Sequence, residues 1–219
     1  MTQTRAPAAA GAVRWLPGLV LAAAGGLATG GFAAWAYYAD FFRPWAHSFG
    51  LWIVLVALLG ARRAVPEAVA RSVCALAAAV VAFYVGKKVM YGIDYPGMPY
   101  AVNAHDLVVW LGLALVAGTL FGWVFCHLGR DSRSGSVAAA AAIGLLVADA
   151  VRRGWGHVDD APAMAVLAVV GTALVLAVSV RSVRQLAGVA LWVVPLTLLG
   201  LVLVSLPDVL EQLLVTGAP

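Results

Sequence analysis

The chain has 219 residues, of which 63% are hydrophobic and 11% charged, and its formal net charge is +4. Its mean hydropathy is +0.96, and soluble domains are about 25% charged, so a soluble globular enzyme is excluded. The basic excess is read as a record of topology, not of nucleic-acid affinity, because Lys and Arg of membrane proteins collect on one side of the bilayer.

A bilayer is crossed by about 20 mostly apolar residues in helical form. Seven segments approach that pattern, at roughly 15–38, 45–61, 67–90, 106–128, 136–154, 162–180 and 185–206. They predict an all-α, polytopic transmembrane helix bundle over 15–206, with tails at 1–14 and 207–219. The first segment follows Arg5 and Arg14 and ends near Ala34-Trp35-Ala36, a pattern like a leader peptide's cleavage site. Its apolar stretch exceeds the roughly 7–15 residues of a leader, so it is expected to stay as a span. Gly26 and Gly30 within it have the spacing that lets helices approach closely. The second segment is the shortest, and Trp45, Ser48 and Trp52 recur along it.

The third segment places Tyr84, Lys87, Lys88 and Tyr91 on one side, at i, i+3, i+4 and i+7. After it comes a polar, aromatic stretch, Tyr91 to Asp106. There Tyr95-Pro96-Gly97-Met98 fits a type II turn, and Asn103 with Asp106 fits a helix cap. The fourth segment carries Gly118-xxx-Gly122. The fifth combines the run Ala138–Ala142 with Asp149, followed by Arg152 and Arg153 at i+3 and i+4. Pro195 lies in the seventh. In the tail, Val209, Leu210, Leu213 and Leu214 oppose Asp208, Glu211 and Gln212, which predicts a short surface helix capped by Ser205.

Nine cations fall on one side of this arrangement: Arg5, Arg14, Arg62, Arg63, Arg71, Arg130, Arg133, Arg181 and Arg184. Five fall on the other: Arg43, Lys87, Lys88, Arg152 and Arg153. The positive-inside rule then predicts a cytoplasmic N-terminus, an external 91–106 loop and an external C-terminus. The preference for Ala, Val, Gly and Arg over Lys, Ile and Asn suggests a bacterial source, hence a bacterial cytoplasmic membrane. Cys74 and Cys126 sit in apolar runs near the cytoplasmic side, where a disulfide is not expected.

Ionisable groups inside spans are the strongest pointers to function. Counted from Arg71, Arg133 and Arg62 at 1.5 Å per residue, Lys87, Asp149 and His47 all rise about 22–24 Å. They share a level in the outer third of a core about 30 Å thick. We therefore expect an external polar pocket formed by His47, Trp52, Tyr84, Lys87, Tyr91, Asp149 and Arg153, with a contact between Asp149 and Lys87 or Lys88.

No HExxH, GxSxG, P-loop or CxxC is present. His47, His105 and His157, with Asp106 or Asp159, come from separate segments, so no metal site, cofactor or catalytic residue is expected from them.

"GTLFGWVF", the basic turn "GRDSR", "AAAAAIGLLVADAVRRG" and "VLAVVGTALVLAVSV" resemble a small actinobacterial multi-span membrane family of unknown function. "PWAHSFGLWIVLVALLGAR" resembles its earlier Pro-Trp and Phe-Gly segment, so the likeness covers roughly 44–206. The resemblance implies a multi-span membrane protein in which Asp149 is the associated polar position. In size and span number the chain also resembles the substrate-binding subunits of bacterial vitamin-uptake transporters. Two roles follow as expectations: binding or transport of a small anionic or aromatic molecule with an energising partner subunit, or a non-catalytic membrane scaffold.

Overall fold

The computed structural model describes residues 9–216, with side chains from Trp15 to Pro207 and at Val209. Hydrocarbon offers a backbone no hydrogen-bond partner, so a spanning chain must satisfy its own N–H and C=O groups. The described residues do this as helices, with no strand among them: α1 (Ala9–Ala36), α2 (Arg43–Ala46), α3 (Gly50–Gly60), α4 (Val65–Asp94), α5 (Ala104–Phe125), α6 (Arg133–Gly156), α7 (Ala161–Ser179) and α8 (Val183–Thr216). Among the described residues six of these, α1 and α4 to α8, are long and apolar enough to cross a membrane. The protein is an all-α, multi-pass membrane protein.

The exception is the second expected span, 45–61, which is not one helix. Its main part, α3, has 11 residues, so it is about 16 Å long against a core of about 30 Å. Pro44 opens α2, as proline favours the first turn. The helix then breaks at His47-Ser48-Phe49 and restarts at Gly50. Ser48 contributes to the break: its Oγ accepts from the Gly50 N–H at 2.9 Å, a local bond that competes with helix continuation. The Trp45 indole N–H donates to the Ala163 carbonyl at 2.9 Å and fastens α2 to α7.

The expected break before the tail is also absent. α8 runs unbroken through Pro207 to Thr216, and the Ser205 hydroxyl donates back to the Leu201 carbonyl at 2.8 Å instead of capping a new helix. The side chains of the proposed tail face other than Val209 lie outside the described residues, as do residues 217–219 and 1–8.

The local signals of the loops match the structure. Gly97 has φ +83°, and the Met98 N–H reaches the Tyr95 carbonyl at 3.2 Å, as a type II turn requires. Asn103 Oδ1 accepts from the His105 N–H at 3.0 Å at the start of α5. Ser132, a cap the sequence reading did not single out, accepts from the Gly135 N–H at 3.2 Å.

Packing forms two groups. In one, α4 lies between α1 and α5; in the other, α6 lies between α7 and α8. The short α3 is wedged between the groups and touches α4, α5, α6 and α7. Small residues set the spacing. A Cβ at Gly26 or Gly30 would collide with the Ala75 or Ala79 carbonyl of α4, and one at Gly118 or Gly122 would lie within 2.7 Å of the α4 backbone at Val73 or Val69. The alanine run of α6 is buried at Ala138, Ala139, Ala140 and Ala142. At the Arg62 end the lower tip of α3 is tied to its neighbours: the Arg62 N–H donates to the Leu128 carbonyl at 3.1 Å and its Nη2 to the Val178 carbonyl at 2.7 Å. Cys74 and Cys126 are free thiols.

Candidate functional site

Because α3 is short, its N-terminus stops inside the bundle, leaving space between the two helix groups at the Lys87 end. A cavity of about 350 Å³ opens there, with His47, Ser48 and Phe49 of the helix break along one side. Its walls are largely aromatic: Tyr37, Phe49, Trp52, Phe83, Tyr84 and Trp110. Among the described residues its lining cations are Lys87, Arg152 and Arg153, and none of those lining it is a carboxylate.

Five of the seven expected site residues meet in this lining: His47, Trp52, Tyr84, Lys87 and Arg153. Tyr91 stands apart. One turn beyond Lys87, its ring packs on Tyr95 at 4.8 Å and Tyr100 at 4.9 Å. Asp149 is fully buried behind the wall, and in place of a direct contact with Lys87 or Lys88 its carboxylate holds other groups. The reason is a stronger set of partners. One carboxylate oxygen, Oδ2, accepts from the Ser48 hydroxyl at 2.5 Å, the Phe49 N–H at 2.9 Å and the Gly50 N–H at 3.2 Å. The other, Oδ1, accepts from Arg152 Nη2 at 3.1 Å. The first turn of a helix has N–H groups without intrahelical acceptors and a partial positive charge. A broken helix inside a membrane protein must satisfy them from the side, and Asp149 does so for α3. Sequence depth placed Asp149 at the right level but showed no sign that the second span would end opposite it.

The remaining charges are also placed. Arg153 Nε donates to Asp160 Oδ2 at 3.0 Å. The Arg152 guanidinium lies 5.2 Å from the Phe49 ring centre. Lys87 turns toward rings: its Nζ lies 4.0 Å from the Tyr37 centre and 5.5 Å from that of Phe83, a cation–π arrangement. Tyr38 donates its hydroxyl to the Lys87 carbonyl at 3.3 Å. Burial first, then the neighbouring Tyr100, pushes the Tyr38 hydroxyl above the usual tyrosine range.

Tyr37, Phe49, Phe83, Trp110 and Arg152, with Ala46, Ser48 and Val80, complete the lining beyond the five expected residues. Phe83 beside Tyr84, and Arg152 beside Arg153, had adjacency as an available signal. Tyr37, just past the end of α1, and Trp110 of α5 had no signal that set a cavity-facing ring apart from a lipid-facing one. Among the described residues no group of three or more His, Cys, Asp or Glu side chains is placed to hold a metal ion.

The model of a family described as a family of unknown function (DUF6518) matches residues 9–210. No curated protein and no solved structure matches the chain.

Proposed function

The chain belongs to this family of unknown function (DUF6518), and we propose that it binds a small anionic molecule with an aromatic or apolar body, as a receptor or as the binding part of a transporter. The single observation supporting this reading is the lining: among the described residues, three cations and six aromatic rings around about 350 Å³, with no carboxylate. Ligand sites are typically mostly apolar cavities of about 300–1,000 Å³ with a few convergent polar groups. A helix broken at the cavity, between two packed helix groups, is also how many transporters build sites near mid-membrane. No nucleotide-binding motif is present, so transport would draw its energy from a partner subunit.

Native mass spectrometry of protein extracted gently from its own membrane tests this reading. The expected result is a retained small molecule that is lost when the cavity is filled by Val80→Trp. A chain that instead retains only a protein partner, with no small molecule, would favour the scaffold role.

The charge distribution supports a cytoplasmic N-terminus and a cavity facing outward across a bacterial cytoplasmic membrane. Met98 is 58% exposed at the Lys87 end, and Ser132 is exposed at the opposite end. With Cys74 and Cys126 replaced by alanine, Met98→Cys is expected to react with a membrane-impermeant maleimide in intact cells, and Ser132→Cys only after lysis. The reverse pattern would turn the cavity toward the cytoplasm.

A further inference from the structure

The lining cations are not equivalent. Arg152 holds Asp149 at 3.1 Å and Arg153 holds Asp160 at 3.0 Å. Lys87 faces Tyr37 and Phe83, and the described residues give it no carboxylate. Two positive charges are thus balanced by fixed carboxylates, and one is not. From this we infer that the site is selective for monoanions: a carboxylate on a planar aromatic body, with Lys87 as its specificity-determining anchor. The inference rests on the binding reading above and adds its charge rule.

Lys87 is half-buried in the cavity, where charges are screened less than in open water, so a ligand gains most by matching the one lining charge without a carboxylate partner. A monocarboxylate drawing Lys87 off the Tyr37 ring leaves the cavity neutral. A dianion such as a phosphate monoester leaves one negative charge unmatched, unless it takes Arg152 or Arg153 from the carboxylate each holds. Taking Arg152 would also disturb Asp149 and the start of α3. A neutral aromatic meets the same rings but gains no ion pair. Lys87 is well placed for the exchange, because a cation over a ring is held more weakly than one in a charge-assisted hydrogen bond.

Three probes of one shape separate the cases: 2-naphthoate, 2-naphthyl phosphate and 2-naphthalenemethanol. Each is titrated into the full-length protein in nanodiscs at pH 8, where an aryl phosphate is close to a dianion. Quenching of Trp52 and Trp110 fluorescence and calorimetry report binding. Naphthoate is expected to bind at least about tenfold more tightly than either other probe. Lys87→Gln is expected to weaken naphthoate by about ten- to a hundredfold, the loss of one charged hydrogen bond, and to leave the alcohol unchanged. Lys87→Arg should restore most of the preference. Phosphate binding as tightly as carboxylate in the native protein would overturn the monoanion rule, while still supporting an anion site. So would naphthoate affinity indifferent to Lys87→Gln in a variant that keeps its thermal stability. Binding of the alcohol alone would remove the anionic part of the reading, and failure of all three probes would overturn the aromatic-binding reading itself.

Discussion

Asp149→Ala is expected to be among the most damaging single substitutions in the chain. Removing the carboxylate leaves the Ser48 hydroxyl and the N–H groups of Phe49 and Gly50 without their Asp149 acceptor, and takes from Arg152 its Asp149 partner. Breaking a buried charged pair by deleting one side costs about 3–5 kcal/mol. Each buried polar group that loses its acceptor adds about 1–3 kcal/mol where water cannot reach it. Asp149→Asn keeps one acceptor oxygen and should lose less. The check is unfolding of purified protein in a fixed detergent or lipid, together with a double-mutant cycle. Asp149→Ala and Arg152→Gln should be strongly non-additive, because they share a bond. Asp149→Ala and Lys87→Gln should be close to additive, because no contact joins them. A small loss for Asp149→Ala, or strong coupling to Lys87, would contradict the assignment of Asp149 as the cap of α3.

This contrast also marks what could be read from the chain. The spans were legible wherever a long apolar run lay between loops with strong local chemistry. Asn103 at the start of α5 and Gly97 in its turn act through their own neighbours, so one-dimensional sequence contains their whole signal. Helical rise could set the levels of Lys87 and Asp149, which lie on unbroken helices α4 and α6, since depth along a helix is also a local quantity; the count to His47 crossed the break before α3. Azimuth is not. Whether Asp149 faces Lys87 or the end of α3 depends on which helices flank α6 and where the second span breaks. That break was hidden because its residues, Ser48, Phe49 and Gly50, are compatible with a helix taken singly. They become a helix start only when an acceptor from another helix stands opposite them. Tyr37 and Trp110 were missed for a related reason: an aromatic ring facing a cavity and one facing lipid look alike in sequence.

The second large effect is expected where α1 meets α4. Gly26 and Gly30 repeat every fourth residue, so they lie on one face of α1, and that face sits against the Ala75 and Ala79 carbonyls. Helices in lipid gain little from the hydrophobic effect on association and rely on close packing. A side chain at either glycine must push the two backbones apart, and strain from forced overpacking costs about 1–3 kcal/mol, occasionally more. At Gly31, next in the chain, an added methyl group would meet nothing within 4 Å, so this position is an internal control on the same helix. Gly30→Leu is therefore expected to lower thermal stability sharply, while Gly31→Leu stays within about 0.5 kcal/mol of the native protein. The effect should reach the cavity. α1 leads directly into Tyr37, whose ring holds Lys87 of α4 at 4.0 Å, so separating the helices also separates that pair. The Gly30 variant should lose affinity for naphthoate together with stability, and Gly31→Leu should lose neither. Equal stability of the two variants would mean that α1 can move off α4 at little cost. In that case the Tyr37 wall could not be a fixed part of the site.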